Sequence, residues 1–126
     1  MRRILLTGLS VLVLGAQAIA ATAMTGKELQ ALLSDGEVIV LGGPKEGYNG
    51  ELSVLKDGTA YGSVKLDSGD VITIDGVWHI TGNKFCRTWK GGRDAGKEVC
   101  ETWNKTGPKS VTVLNGKENI GKNSWK

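Results

Sequence analysis

Gly76-Val77-Trp78-His79-Ile80-Thr81-Gly82-Asn83-Lys84-Phe85-Cys86-Arg87-Thr88-Trp89 is the stretch that decides the fold. Two runs of strand-forming residues flank the turn pair Gly82-Asn83. Folded as a hairpin, Ile80 opposes Phe85 and Trp78 opposes Arg87. Strand side chains alternate between faces, so Trp78, Ile80, Phe85, Arg87 and Trp89 share one side. Pairing Cys86 with Cys100 on the next antiparallel strand brings Val99, Glu101 and Trp103 to that side. His79, Cys86, Thr88, Cys100 and Thr102 fall on the other. A bulge in either strand would exchange the faces, so the alternation leaves open which of them is the core.

Outward from this hairpin the chain is strands and turns. Toward the N-terminus lie Glu37–Leu41, a break at Gly42-Gly43-Pro44, Glu51–Leu55, a turn at Lys56–Thr59, Thr59–Leu66 and a turn at Asp67–Asp70. Val71–Ile74 follows, with Asp75-Gly76 read as a break or bulge. Toward the C-terminus lie the glycine-rich loop Gly91–Gly96, Val99–Trp103, a turn over Lys105–Lys109, Ser110–Leu114, the hairpin signal Asn115-Gly116 and a short strand near Ile120. Turns at this spacing predict an antiparallel meander. A flat sheet would leave one face bare. The fold class expected is therefore mainly β, a strongly curved sheet or partly closed barrel. One short helix precedes it: Thr25 and Glu28 form a capping-box pattern, Leu29, Leu32 and Leu33 fall on one face, and Asp35-Gly36 ends it. This helix is expected to plug an open side or end.

Residues 1–23 read as a cleavable secretion signal: Arg2 and Arg3, an uncharged apolar run over Ile4–Gly15, then A-x-A patterns that put cleavage near Ala20 or Ala23. The apolar run is shorter than the roughly 20 residues of a spanning helix. Residues 24–126 form one domain, expected in the periplasm or secreted, as a monomer with no membrane span after signal removal. In an oxidising compartment the even cysteine count predicts a Cys86–Cys100 disulfide. The sole histidine, His79, cannot complete a metal site, and no C-x-x-C-H haem motif is present; neither metal nor cofactor is expected.

The formal charge of +3 includes Arg2 and Arg3. Without them the chain is nearly neutral, which argues against nucleic acid as a partner. Acidic residues outnumber basic ones from Ala21 to Asn83, and basic residues dominate from Lys84 onward. The two halves can compensate each other side by side, or the basic half can form an anion-attracting face.

The candidate binding residues are Trp78, Phe85, Arg87, Trp89, Glu101 and Trp103. Their aromatic rings are either the core or the floor of a ligand or partner site. Arg87 and Glu101 are within cross-strand reach, as a plain salt bridge or as a polar anchor for an anionic or hydrogen-bonding ligand. No nucleophile motif is present, and Gly91–Lys97 lacks the phosphate-loop spacing. No catalytic residue is assigned.

The N-terminal T-G-K-E-L helix, Asp57-Gly58-Thr59 with Gly62, the Gly76-Val77-Trp78 strand, Phe85-Cys86-Arg87-Thr88-Trp89 and Cys100 together resemble small exported bacterial proteins of a domain family of unknown function. The resemblance spans nearly the whole chain after the signal and implies a periplasmic β-rich domain with no established activity. A non-enzymatic domain binding a small ligand or an envelope protein is the expected function. The alternatives are an exported hydrolase inhibitor using the Gly91–Lys97 loop, and an enzyme using His79.

Overall fold

The structure is a computed structural model, and it describes residues 22–126. The expected signal lies outside the described residues except for Thr22 and Ala23. Helix α1 (Gly26–Leu33) is followed by β1 (Glu37–Gly43), β2 (Tyr48–Val54), β3 (Thr59–Leu66), β4 (Val71–Thr81), β5 (Lys84–Trp89), β6 (Glu98–Gly107), β7 (Ser110–Asn115) and β8 (Glu118–Ser124). Each strand pairs antiparallel with the next, and β8 returns to β1 through Val40↔Ser124 and Leu41↔Asn123. The meander is thus a fully closed eight-stranded barrel. Closure removes both sheet edges, and eight strands enclose just enough room for packed side chains or one small ligand.

The β4–β5 register is the one expected from the sequence, with Trp78 opposite Arg87 and Ile80 opposite Phe85. Cys86 faces Cys100 across β5–β6, and their sulfurs are bonded. The structure differs at Asp75-Gly76, where β4 runs on unbroken from Val71 to Thr81. Gly76 sits between Ala60 of β3 and Trp89 of β5. A Cβ there would strike the Thr88 carbonyl and the Trp89 ring. This glycine permits close strand approach and does not end the strand. β6 likewise continues through the expected turn at Lys105 to Gly107, absorbing a bulge. At the Asn115-Gly116 hairpin the glycine takes φ 63°, as a tight turn requires.

The helix closes one end of the barrel. Thr25 caps it: its Oγ1 accepts from Glu28 N at 3.1 Å, and Thr25 N donates to Glu28 Oε1 at 2.9 Å. Leu29 and Leu33 are fully buried among Ile39, Val54, Phe85 and Trp103. So short a helix is marginal alone, and its docking holds it. Gly26 N donates to Asn83 Oδ1 at 2.7 Å and Met24 N to the Trp103 carbonyl at 2.8 Å. Two ion pairs, Glu28–Lys105 and Asp75–Lys90, join the acidic first half of the chain to the basic second half. Among the described residues no helix is long and apolar enough to cross a membrane.

The disulfide links two wall strands across a sequence separation of 14 residues. Replacing both cysteines by serine is expected to lower stability by about 3 kcal/mol, the chain-entropy value for a loop of this size. A lowered urea midpoint, with a slope at least as steep as that of the cross-linked protein because the unfolded chain is freed to expand, checks it.

A candidate ligand cavity at the barrel mouth

With α1 at one end, the other end is ringed by the β1–β2, β3–β4, β5–β6 and β7–β8 connections. Here side-chain filling stops short, leaving a cavity of about 190 Å³. Its apolar wall comes from Leu41, Leu52, Val64, Ile74 and Ile120, and Phe85 lies deeper. The face carrying Phe85, Arg87, Glu101 and Trp103 therefore points inward, which settles the choice the alternation left open. The aromatic rings form a stack that starts in the packed end: Trp78 on Phe85 (5.9 Å between centroids), Phe85 on Trp103 (5.1 Å), Trp103 on Trp125 (6.4 Å).

Arg87 and Glu101 stand on adjacent strands inside this cavity. Arg87 is 9% exposed and Glu101 7%. Arg87 Nε donates to Glu101 Oε2 at 2.8 Å, and Trp103 Nε1 donates to Glu101 Oε1 at 3.0 Å. The Arg87 guanidinium also lies over the Trp89 ring, with Cζ 5.5 Å from the centroid. Burial holds the Glu101 carboxyl above its ordinary range, and the Arg87 charge and the two hydrogen bonds only partly counter it.

One edge of the guanidinium is thus engaged and the other is not. Among the described residues, neither terminal nitrogen of Arg87 has a protein hydrogen-bond acceptor. Asn123 of β8 is 8% exposed, lines the same cavity, and its side-chain amide has no hydrogen-bond partner among those residues. Buried polar groups are ordinarily satisfied. Arg87 and Asn123 thus both leave side-chain polar atoms without a protein partner on the lining of one cavity.

No family model, curated protein or solved structure matches the chain. What the site can hold follows from its own chemistry. Of the six residues singled out from the sequence, Phe85, Arg87, Trp89 and Glu101 line the cavity. Trp103 supports Glu101 from the packed end, and Trp78 stacks on Phe85 while donating Nε1 to the Leu55 carbonyl at 2.9 Å. Sequence reasoning did not single out Asn123 or Tyr48. Tyr48 lines the cavity and accepts from Lys122 N at 3.0 Å. The β8 stretch Glu118–Ser124 is too polar for its alternation to show an inward face, so Asn123 carried no local signal.

The Gly91–Lys97 connection borders a second recess of about 220 Å³, whose walls include Arg87, Trp89, Gly91, Gly92, Arg93 and Asp94. The loop is thereby part of the mouth's rim. His79 is on the outer wall, 3.4 Å from Glu98 and opposite Cys86. His79, Cys86 and Glu98 come within metal-ligand reach of one another, but the Cys86 sulfur is taken up in the disulfide.

Proposed function

We propose that the protein is an exported, non-enzymatic binding domain that admits a small ligand through the mouth of its barrel. The observation that carries this reading is the buried Arg87–Glu101 pair inside an open cavity whose walls are mostly apolar. Pockets that combine apolar walls with a few convergent polar groups are the usual form of small-molecule sites. The volume is near the roughly 150 Å³ of an engineered protein cavity that binds benzene, so the occupant is small.

Export is supported by the signal-like residues 1–23, by the disulfide and by the resemblance to exported bacterial domains. Cleavage after Ala20 fits the fold better than cleavage after Ala23. The Thr22 carbonyl accepts from Lys105 N at 2.8 Å, and Ala23 bridges to Asn104. Of the two cleavage points, the one after Ala20 keeps both contacts and the one after Ala23 removes them.

Titrating isotopically labelled protein with a panel of six- to ten-atom fragments is expected to shift the indole signal of Trp89 and the methyl signals of Ile74 and Ile120. Val64→Trp, which fills the mouth from β3, is expected to abolish those shifts while keeping the dispersed spectrum of the fold. Silence in the wild-type protein, or an undiminished response in Val64→Trp, counts against the reading.

A further inference from the structure

The cavity's polar end is specific about what it can accept. Arg87 offers two parallel N–H donors on its free edge, positioned by the Nε bond to Glu101 and by the neighbouring Trp89 ring. A carboxylate is the planar group that matches such a fork with two bonds. Asn123 adds an uncharged donor or acceptor to the lining of the same cavity. The hydrocarbon walls suit an apolar body attached to that group.

Charge balance then sets a condition. The groups lining the cavity that can ionise are Tyr48 of β2, Arg87 of β5 and Glu101 of β6, while Arg93 and Asp94, a pair of opposite charges on the rim, border the adjoining recess that Arg87 also lines. β1, β3, β4 and β7 present only apolar side chains, and β8 adds the uncharged Asn123. With Glu101 ionised, Arg87 is already neutralised, and an arriving carboxylate would face a second one in a poorly hydrated space. Two carboxylates sharing such a site cannot both stay ionised readily.

We propose, building on the small-ligand reading, that the cavity binds a small monocarboxylate with an apolar tail, its carboxylate across the free edge of Arg87 and its binding accompanied by uptake of one proton at Glu101. The raised titration of Glu101 in the empty protein is in keeping with this exchange. No bond is made or broken apart from that O–H, and the proton comes from solvent.

Hexanoate and hexanamide separate the possibilities, measured by calorimetry on the full mature protein. Hexanoate is expected to bind at least about tenfold more tightly than hexanamide, a difference of about 1.4 kcal/mol. Its affinity is expected to fall as pH rises through the range, above the ordinary carboxyl value, in which Glu101 of the free protein ionises, approaching tenfold per pH unit beyond it. Two buffers of different ionisation heat are expected to report uptake of close to one proton. Glu101→Gln, which mimics the protonated acid, is expected to keep hexanoate binding and lose both the pH dependence and the uptake. Arg87→Lys, which keeps the charge without the fork, is expected to weaken hexanoate and leave hexanamide nearly unchanged. A pH-independent hexanoate affinity, or equal affinity for the amide, overturns the proposal; so does loss of hexanoate binding in Glu101→Gln. If hexanamide binds while hexanoate does not, the carboxylate assignment fails and the small-ligand reading survives. If neither binds and the fragment panel is silent too, both fail.

Discussion

Trp103→Ala is expected to destabilise the protein by about 3–5 kcal/mol, the range for removing a large aromatic side chain from a core. Small domains have only about 5–15 kcal/mol in total, so much of the population would be unfolded at modest temperature. The size of the effect follows from position. Trp103 is fully buried, touches Phe85 and Trp125, and lies where the helix meets the barrel interior. Its backbone carbonyl also anchors Met24. Trp103→Phe keeps a ring but removes the donor to Glu101 Oε1. The part of its loss due to the missing bond to a charged acceptor is expected to be about 1.5–3 kcal/mol. Chemical denaturation of the two variants under identical conditions separates packing from hydrogen bonding. If Trp103→Ala cost less than 1 kcal/mol by the same core-packing scale, the ring would have to be a passenger in a loosely filled end.

Arg87→Met is expected to have an effect of similar size, about 3–5 kcal/mol at neutral pH, because it strands the Glu101 carboxylate without its cation. Arg87→Met with Glu101→Leu is expected to recover most of that loss, since an apolar pair of similar volume leaves no charge behind. The single variant should also be less damaged at low pH, where Glu101 can take a proton and become neutral. The wild type has a milder form of the same dependence. The folded protein holds the Glu101 proton more tightly than the unfolded chain does. That contribution is complete below the ordinary carboxyl value of 4.5 and is lost as pH rises through the higher folded value. Glu28 and Asp57 run the other way. Hydrogen bonds from Lys105 and Thr59 hold their carboxyls low, so their contributions fade only as pH falls below the ordinary carboxyl range. Subtracting the stability of Glu101→Gln from that of wild type at each pH cancels those two and isolates the Glu101 slope. A difference flat between about pH 4 and 8 would contradict the assignment.

The central hairpin was legible because its information is local. A two-residue turn sets the register, and period-two alternation then fixes which side chains travel together. That puts Phe85, Arg87 and Trp89 on one face from the hairpin alone, and the Cys86–Cys100 pairing adds Glu101 to it. The helix was legible for the same reason, since Thr25, Glu28 and the leucines act within one turn of each other. Closure was not. It depends on Leu41 meeting Asn123, a pairing between distant strands with no turn to announce it. Asp75-Gly76 reads as a break or bulge, and β4 instead runs through it, because a glycine in a strand looks alike whether it interrupts the strand or admits a neighbouring carbonyl. Asn123 was invisible because its inward direction exists only once β8 has joined β1. The cavity is a property of closure, so its polar end could be read only from the β5–β6 side.

The bond between the first and last strands has a consequence for how the molecule comes into being. Until Asn123 and Ser124 are available to β1, the sheet is an open ribbon with two unpaired rims and an uncovered greasy interior. A chain in which β8 is missing is therefore not a smaller version of the domain but a sticky ribbon. Contacts between partners this far apart along a polypeptide also form slowly. Sealing the wall therefore waits on β8, the last strand to find its place.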